Sequence, residues 1–352
     1  MYALVTADVV DDLDPDLEPL AAAMRERIGH ERLHIVSWDD PAVDWAAFDA
    51  ALIRSTWDYT QRLAEFLGWI ERVDAVTRLV NAATIVGWNA DKRYLTHLGA
   101  VGVPITPTIL VAPGEAVPTH AELSAALVES SDHRDVISGD AEVFVVKPSV
   151  GAGSNGARRC RADEIAPHVA HLHGGGRTAM IQPYLAGLDA DGETALCFVP
   201  HADSGLRFSH AFRKAAILTS TDVPRIGDLF AEEDVGQRVP TDAELALGHQ
   251  VLAALESVPQ VRSALSDGLL FARVDVAPHL GRRDDPAALV LMELELIEPS
   301  FYLSTTPGSA GRLASAFLDR LGDGTGDDGG AGRTDAAGDP TGQGDGTGGA
   351  TA

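Results

Sequence analysis

The chain has 352 residues, and its 52 Asp and Glu against 27 Lys and Arg give a formal net charge of −25. Such a surface repels polyanions, so a general nucleic-acid or anionic-membrane binder is excluded, while a small nucleotide is allowed wherever a local cationic cleft or a metal reverses the sign. Two cysteines, Cys160 and Cys197, supply neither a disulfide framework nor a thiolate zinc site. No basic leader precedes a long apolar stretch and no apolar run reaches the roughly 18 residues of a membrane span, so a cytoplasmic chain is expected.

At about 150 residues per domain the length predicts two or three domains. Tyr2–Val5, His34–Trp38 and Ala51–Ser55 are short apolar runs. Between them Leu17, Leu20, Ala21, Met24 and Ile28 recur at helical spacing, and a second helix is predicted over Gln61–Leu79 from Leu63, Phe66, Leu67, Ile70 and Val73. This alternation predicts a βαβ unit with a parallel sheet, ending near residue 90. Val86–Asn89 leads into a helix over about Asp91–Val101, closed by Gly102 and Pro104. Glu142–Lys147 reads as a strand, Ala162–His173 as a helix and Ala179–Pro183 as a strand. Further strands are predicted near Thr194–Val199, Arg207–Phe212, Leu269–Ala277 and Ala288–Ile297, with a helix over Asp242–Ser257. The class is therefore α/β followed by α+β. Residues 322–352 hold twelve Gly, six Asp and no branched aliphatic or aromatic residue, which predicts a disordered tail.

Gly151, Gly153 and Gly156 satisfy Gly-x-Gly-x-x-Gly literally. A dinucleotide fingerprint does not follow, because Lys147 and Pro148 separate the strand from the glycines and no acid ends a strand about 20 residues later. A P-loop fails too, since Ala157-Arg158 stands where Lys-Ser/Thr is needed. Two readings remain open: a Gly/Ser surface hairpin, and a flap whose backbone N–H groups cover phosphates with Lys147 aimed at them.

Within apolar strands, Arg273 and Asp275 share one face by period two, as do Glu293 and Glu295. Carboxylates placed there are costly unless a cation meets them, and three hard oxygen donors suit Mg²⁺; a solvated face balanced by Arg273 is the alternative. Lys92, at a predicted helix start, opposes the helix dipole and calls for an anionic partner or solvent. Two histidine sets, His30/His34 and His168/His171/His173, read as polar helix faces with no carboxylate or cysteine to complete a metal site.

The set Lys92, Lys147, the glycine loop, Ile181-Gln-Pro-Tyr-Leu185, Asp275, Glu293 and Glu295 resembles the ATP-grasp superfamily. The resemblance is to its glutathione-synthetase-like branch, and within it to the cyclo-ligases of cycloserine biosynthesis and their relatives. The narrower likeness lies in Ile53–Tyr59, Asn89–Leu95, Ser209–Lys214 and Glu293–Leu303, in family order over about residues 1 to 320.

The resemblance implies an N-terminal Rossmann-like (pre-ATP-grasp) domain over 1–90, a central ATP-grasp subdomain over 91–180 and a C-terminal one over 181–321. It implies that Lys92 and Lys147 contact ATP phosphates and that Ser149, Gly151, Gly153, Ser154 and Gly156 belong to the covering loop. Gln182, Pro183, Tyr184 and Leu185 would read and sandwich adenine, Glu193 would bind ribose, and Asp275, Glu293 and Glu295 would hold two Mg²⁺ ions. The family usually has Asn where Glu295 stands. Arg213 and Lys214 would bind phosphate or an acceptor carboxylate, or be surface charges. Arg273 would stabilise an oxyanion and, with Lys147, be catalytic. Trp57, Asp58 and Tyr59 touch substrate or cap the next helix, and Ser300 falls in the substrate segment. The implied activity is ATP-dependent joining of a small-molecule carboxylate and amine. A regulatory nucleotide binder and a kinase are the alternatives, and oligomeric state, including a homodimer, is left open.

Overall fold

Apolar runs buried on both faces form parallel strands, and the N-terminal quarter follows that rule. β1 (Tyr2–Thr6), β2 (Leu33–Ser37), β3 (Ala50–Ser55) and β4 (Arg78–Val80) make a four-stranded parallel sheet in the order β2-β1-β3-β4 in this computed structural model. The structure describes residues 1–10, 13–129, 143–201, 205–218, 225–226, 230–231, 234–279 and 282–323; beyond Gly322 and Asp323, the tail expected over 322–352 lies outside them. Because side chains alternate, Tyr2 and Leu4 pack with α1 (Leu17–Ile28) on one face, while Ala3 and Val5 pack with α2 (Leu63–Asp74) on the other.

The helix expected over Gln61–Leu79 ends at Asp74, and Arg78–Val80 is strand instead. Val73, Val76 and Val80 continue a helical spacing, but the free edge of β3 offers Arg78–Val80 a parallel ladder and leaves Val76 exposed. His30 lies in a 3₁₀ turn and His34 on β2, so the helix expected for that pair is absent. Two short helices follow, α3 (Ala83–Asn89) and α4 (Tyr94–Ala100), with Lys92 in the turn between them rather than at a helix start.

The second sheet is antiparallel, ordered β5-β8-β6-β7 from β5 (Ile109–Val111), β6 (Val143–Pro148), β7 (Arg158–Arg161) and β8 (Ala179–Pro183). α5 (His120–Glu129) and α6 (Ala162–Gly174) cover it, the latter opened by Glu164 accepting from the Arg161 N–H at 2.9 Å.

After the short α7 (Gly187–Asp191), a five-stranded antiparallel sheet is built from β9 (Glu193–Pro200), β10 (Leu206–Lys214), β13 (Val235–Gln237), β14 (Ala272–Pro278) and β15 (Leu289–Glu295), ordered β13-β10-β9-β14-β15. A two-residue ladder, β11 (Arg225–Ile226) with β12 (Phe230–Ala231), precedes β13. The insert between β14 and β15 closes a hairpin through His279 N–H to the Ala288 carbonyl at 2.9 Å.

α8 (Asp242–Ala254) packs Leu247 and Val251 on one face of this sheet, continuing as a 3₁₀ turn to Ser257. The other face meets α9 (Ser309–Leu321), which the sequence reading does not contain. Leu313, Phe317 and Leu318 of α9 join Cys197, Phe271 and Phe301 and, through Leu20 of α1, Leu4 of the first sheet. Each fully buried Phe or Leu contributes roughly 1.5–3 kcal/mol, so this shared core fixes the first sheet against the third. Both cysteines are buried core residues, and among the described residues no helix is long and apolar enough to cross a membrane.

Candidate active site

A cavity of about 450 Å³ lies between the second and third sheets, with residues of the N-terminal unit at one end. On the second sheet, Lys147 near the end of β6 lines it, opposite Met180 of β8. Burial holds its ammonium below the usual lysine pKa and Lys92 adds to this, while Glu293 pulls the other way. The ammonium makes no ion pair among the described residues.

Past Pro148 the chain turns through left-handed backbone at Gly153, Ser154 and Gly156, closed by Asn155 N–H to Ala152 O and Ala157 N–H to Ser154 O, both 3.1 Å. Gly151, Gly153 and Ser154 line the cavity. Ser149 and Gly156 do not. Ser149 is buried, its carbonyl accepting from the Lys92 N–H at 2.8 Å; Gly156 O accepts from the His168 ring at 2.9 Å, which seats the loop on α6. Lys92 Nζ bridges the loop and the acids, donating to Gly151 O and pairing with Glu293 at 3.0 Å.

The end of β8 supplies Gln182, Pro183, Tyr184 and Leu185 to the cavity wall. Leu185 packs with Met292 and Val290, and the Arg159 guanidinium lies 3.8 Å from the Tyr184 ring centroid. Such a slot suits a flat ring. Glu193, opening β9, pairs with Lys214 at 3.5 Å. Gly192 before it has φ +67°, and a Cβ there would stand 2.3 Å from Lys214 O, so only glycine lets the two strands close here. Lys214 lines the cavity; Arg213, on the opposite face of β10, does not, and its Nε donates to Asp191 O at 3.0 Å.

The β14–β15 register sets Arg273 opposite Glu295 and Asp275 opposite Glu293. One carboxylate oxygen each from Asp275, Glu293 and Glu295 lies within 4.8 Å of the others. Asp275 is fully buried, receiving Arg273 Nε and Nη2 at 2.9 Å and Lys214 Nζ at 3.0 Å; Arg273 also donates to Glu295, and to Ser300 O at 3.0 Å. Burial alone would raise Glu293, but Lys92, Lys214 and Lys147 together bring its pKa well below the usual range. Burial drives Glu295 the other way, with Glu293 and Asp275 adding to it against Arg273. Three oxygen donors this close, one disfavoured as an anion, fit a hard divalent cation whose charge would reverse that penalty.

At the far end Trp57, Tyr59, Glu298 and Ser300 line the cavity. Asp58 does not: it accepts from Trp38 Nε1 at 3.0 Å and Arg62 Nη1 at 3.2 Å inside the N-terminal unit. Glu298 lies outside the period-two alternation of Glu293 and Glu295. Leaving the strand at Glu295 is what frees Glu298 to turn back to the cavity, where burial pushes its carboxyl up to about 7 despite Lys92.

Residues 2–81 match the family described as the D-cycloserine synthetase DcsG N-terminal domain. The chain is 35% identical over 325 residues to the cycloserine biosynthesis protein DcsG of Streptomyces lavendulae, covering 91% of this chain and 99% of that one. The crystal structure of D-cycloserine synthetase DcsG superposes with a TM-score of 0.71 at 34% identity, over 91% of this chain and 99% of the other. A D-alanine–D-alanine ligase from Bacillus anthracis complexed with ATP superposes at 0.54 and 16% identity, over 92% and 95%. The ATP-grasp ligase PsnB with a phosphomimetic precursor variant, Mg and ADP does so at 0.51 and 15%, over 91% and 98%. With this fold, this cleft and this extent of identity, the chain belongs to the DcsG family of ATP-grasp ligases.

Proposed function

We propose that the chain is an ATP- and Mg²⁺-dependent carboxylate–amine ligase acting on an amino-acid-like substrate through an acyl phosphate, with release of ADP and phosphate. The observation that carries this reading is three carboxylates within 4.8 Å of one another, facing Lys92 and Lys147 across a cleft roofed by a glycine loop. The D-cycloserine synthetase activity named for the similar chain supports the ring-closing form, in which carboxylate and amine belong to one molecule.

Asp275, Glu293 and Glu295 would hold Mg²⁺, which supplies positive charge to phosphate oxygens as negative charge spreads during transfer. Lys147, with no ion pair among the described residues, would offer its charge to the transferred phosphoryl group. Lys92 ties the loop to the acids, so phosphates, loop and acid strand are drawn together. Gln182–Leu185 and Glu193 would take adenine and ribose. Arg273, with N–H groups engaged by Asp275, Glu295 and Ser300, would orient the acids and add positive charge near a developing oxyanion. Loop closure would keep water from the acyl phosphate. The ranges 1–90, 91–180 and 181–321 are the units we assign to this work, in the cytoplasm where ATP is available.

Hydroxylamine intercepts acyl phosphates as hydroxamates, which gives a direct test. With Mg·ATP, hydroxylamine and a panel of D- and L-amino acids, the expected result is a hydroxamate formed in step with ADP. ATP binding with no ADP across the panel would point to a regulatory nucleotide binder, and a stable phosphate ester by mass spectrometry to a kinase.

A further inference from the structure

The backbone of residues 298–303 is gripped residue by residue from elsewhere in the chain. Three consecutive carbonyls accept from side chains: Glu298 O from Trp57 Nε1 at 3.3 Å, Pro299 O from Arg54 Nη1 at 3.1 Å and Ser300 O from Arg273 Nη1 at 3.0 Å. The next three amides, of Phe301, Tyr302 and Leu303, all donate to the Asp16 carboxylate at 2.7 Å. Arg54 and Asp16 are themselves buried. So regular a clamp on an irregular segment fixes what its side chains present to the cavity, which is how a recognition element is preorganised.

What it presents is the Glu298 side chain. This residue is 9% exposed and lines the cavity, with the Tyr59 hydroxyl beside it. Among the described residues no lysine, arginine or histidine forms an ion pair with it, whereas Asp275, Glu293, Glu295 and Glu193 each have one. A buried carboxylate facing an open cavity, with Lys92 and Arg273 acting on it only from beyond ion-pair distance among the described residues, is complementary to a cation on the ligand.

We propose that Glu298 receives the ammonium group of an α-amino-acid substrate, with Trp57 and Tyr59 bordering its carbon skeleton and the carboxylate to be activated turned toward Lys147. The assignment rests on the ligase reading and narrows its substrate to a molecule that keeps a free amine besides the groups being joined. The raised pKa of Glu298 agrees with it, because a bound ammonium restores the charge that burial disfavours. The amine would thus be a recognition handle rather than the attacking group, since a protonated amine is no nucleophile.

Calorimetry on the Mg·ADP-loaded chain tests it, using D-serine, D-alanine and D-cycloserine, each beside its N-acetyl derivative. The expected result is that at least one free amine binds, that its N-acetyl derivative binds at least tenfold more weakly, and that Glu298→Gln removes this preference while Mg·ADP affinity stays as in the wild type. Unchanged affinity for the free amine in Glu298→Gln overturns the assignment, as does failure of every probe to bind the wild-type chain. ADP release is measured alongside: ammonium binding that depends on Glu298 without any ADP release would leave the assignment standing and sink the ligase reading, whereas ADP release indifferent to Glu298 would do the reverse.

Discussion

Lys147 is the residue on which the electrostatics of the cleft turn. A partly desolvated ammonium with no ion pair among the described residues lowers stability slightly and has value only if an anion arrives. Lys147→Ala is therefore expected to cut ADP release at least about 100-fold while leaving the thermal midpoint equal to or above that of the wild type, measured by coupled assay and calorimetry. Glu298 makes the opposite statement about pH. Its ordinary pKa of 4.5 rises to about 7 on folding, so between those values the folded chain holds more protons than the unfolded one, and stability falls as pH rises through that window. Glu298→Gln removes the effect. Its stability relative to the wild type should thus grow by up to roughly 3 kcal/mol from about pH 5 to about pH 8, by denaturant titration without nucleotide or Mg²⁺. An unchanging difference between the two proteins would mean that Glu298 is solvated.

At the scale of elements, the loop 298–303 depends on Asp16 more than on its own sequence. Asp16→Ala leaves two buried N–H groups and a partly buried one without an acceptor and should cost about 3 kcal/mol, with Asp16→Asn intermediate because one acceptor oxygen survives. Mg·ADP affinity of the remaining folded protein should change little, since the residues proposed to hold the nucleotide lie on other elements; chemical denaturation and calorimetry check the two halves. Elements whose own residues determine them were legible in the sequence: β8 over Ala179–Pro183, the start of α8, and the Arg273/Asp275 and Glu293/Glu295 faces that period-two alternation exposes. What stayed hidden depends on distant partners. The β4 segment chose strand because β3 offered an edge, Asp58 and Arg213 turned from the cavity toward Trp38 and Asp191, and Glu298 entered it only because the chain leaves β15 where Arg54, Trp57 and Asp16 can hold it. α9 went unseen, although Gly308 and Gly322 bracket it with left-handed caps.

For the whole molecule, a net charge of −25 sets an unfavourable background for a nucleotide, so binding must come from the local cations and the metal. A ligand at 100 times its Kd stabilises by about 2.7 kcal/mol, and the acid trio should contribute much of the metal-dependent part. Mg·ADP is expected to raise the thermal midpoint of the wild type more than ADP with EDTA does, and Glu293→Gln should abolish that difference with little effect on the ligand-free midpoint. An equal Mg²⁺ increment in the variant would remove Glu293 from the metal site.

The Asp16 contacts reach across 285 to 287 positions of the chain. During synthesis, therefore, the ribosome delivers both lysines, the glycine loop and most of the proposed nucleotide slot long before the wall proposed to discriminate substrates can form. That wall waits for one of the last segments to emerge and find one of the first. Because closing so long a loop costs entropy, the completed cleft is expected to be among the last features of the fold to form.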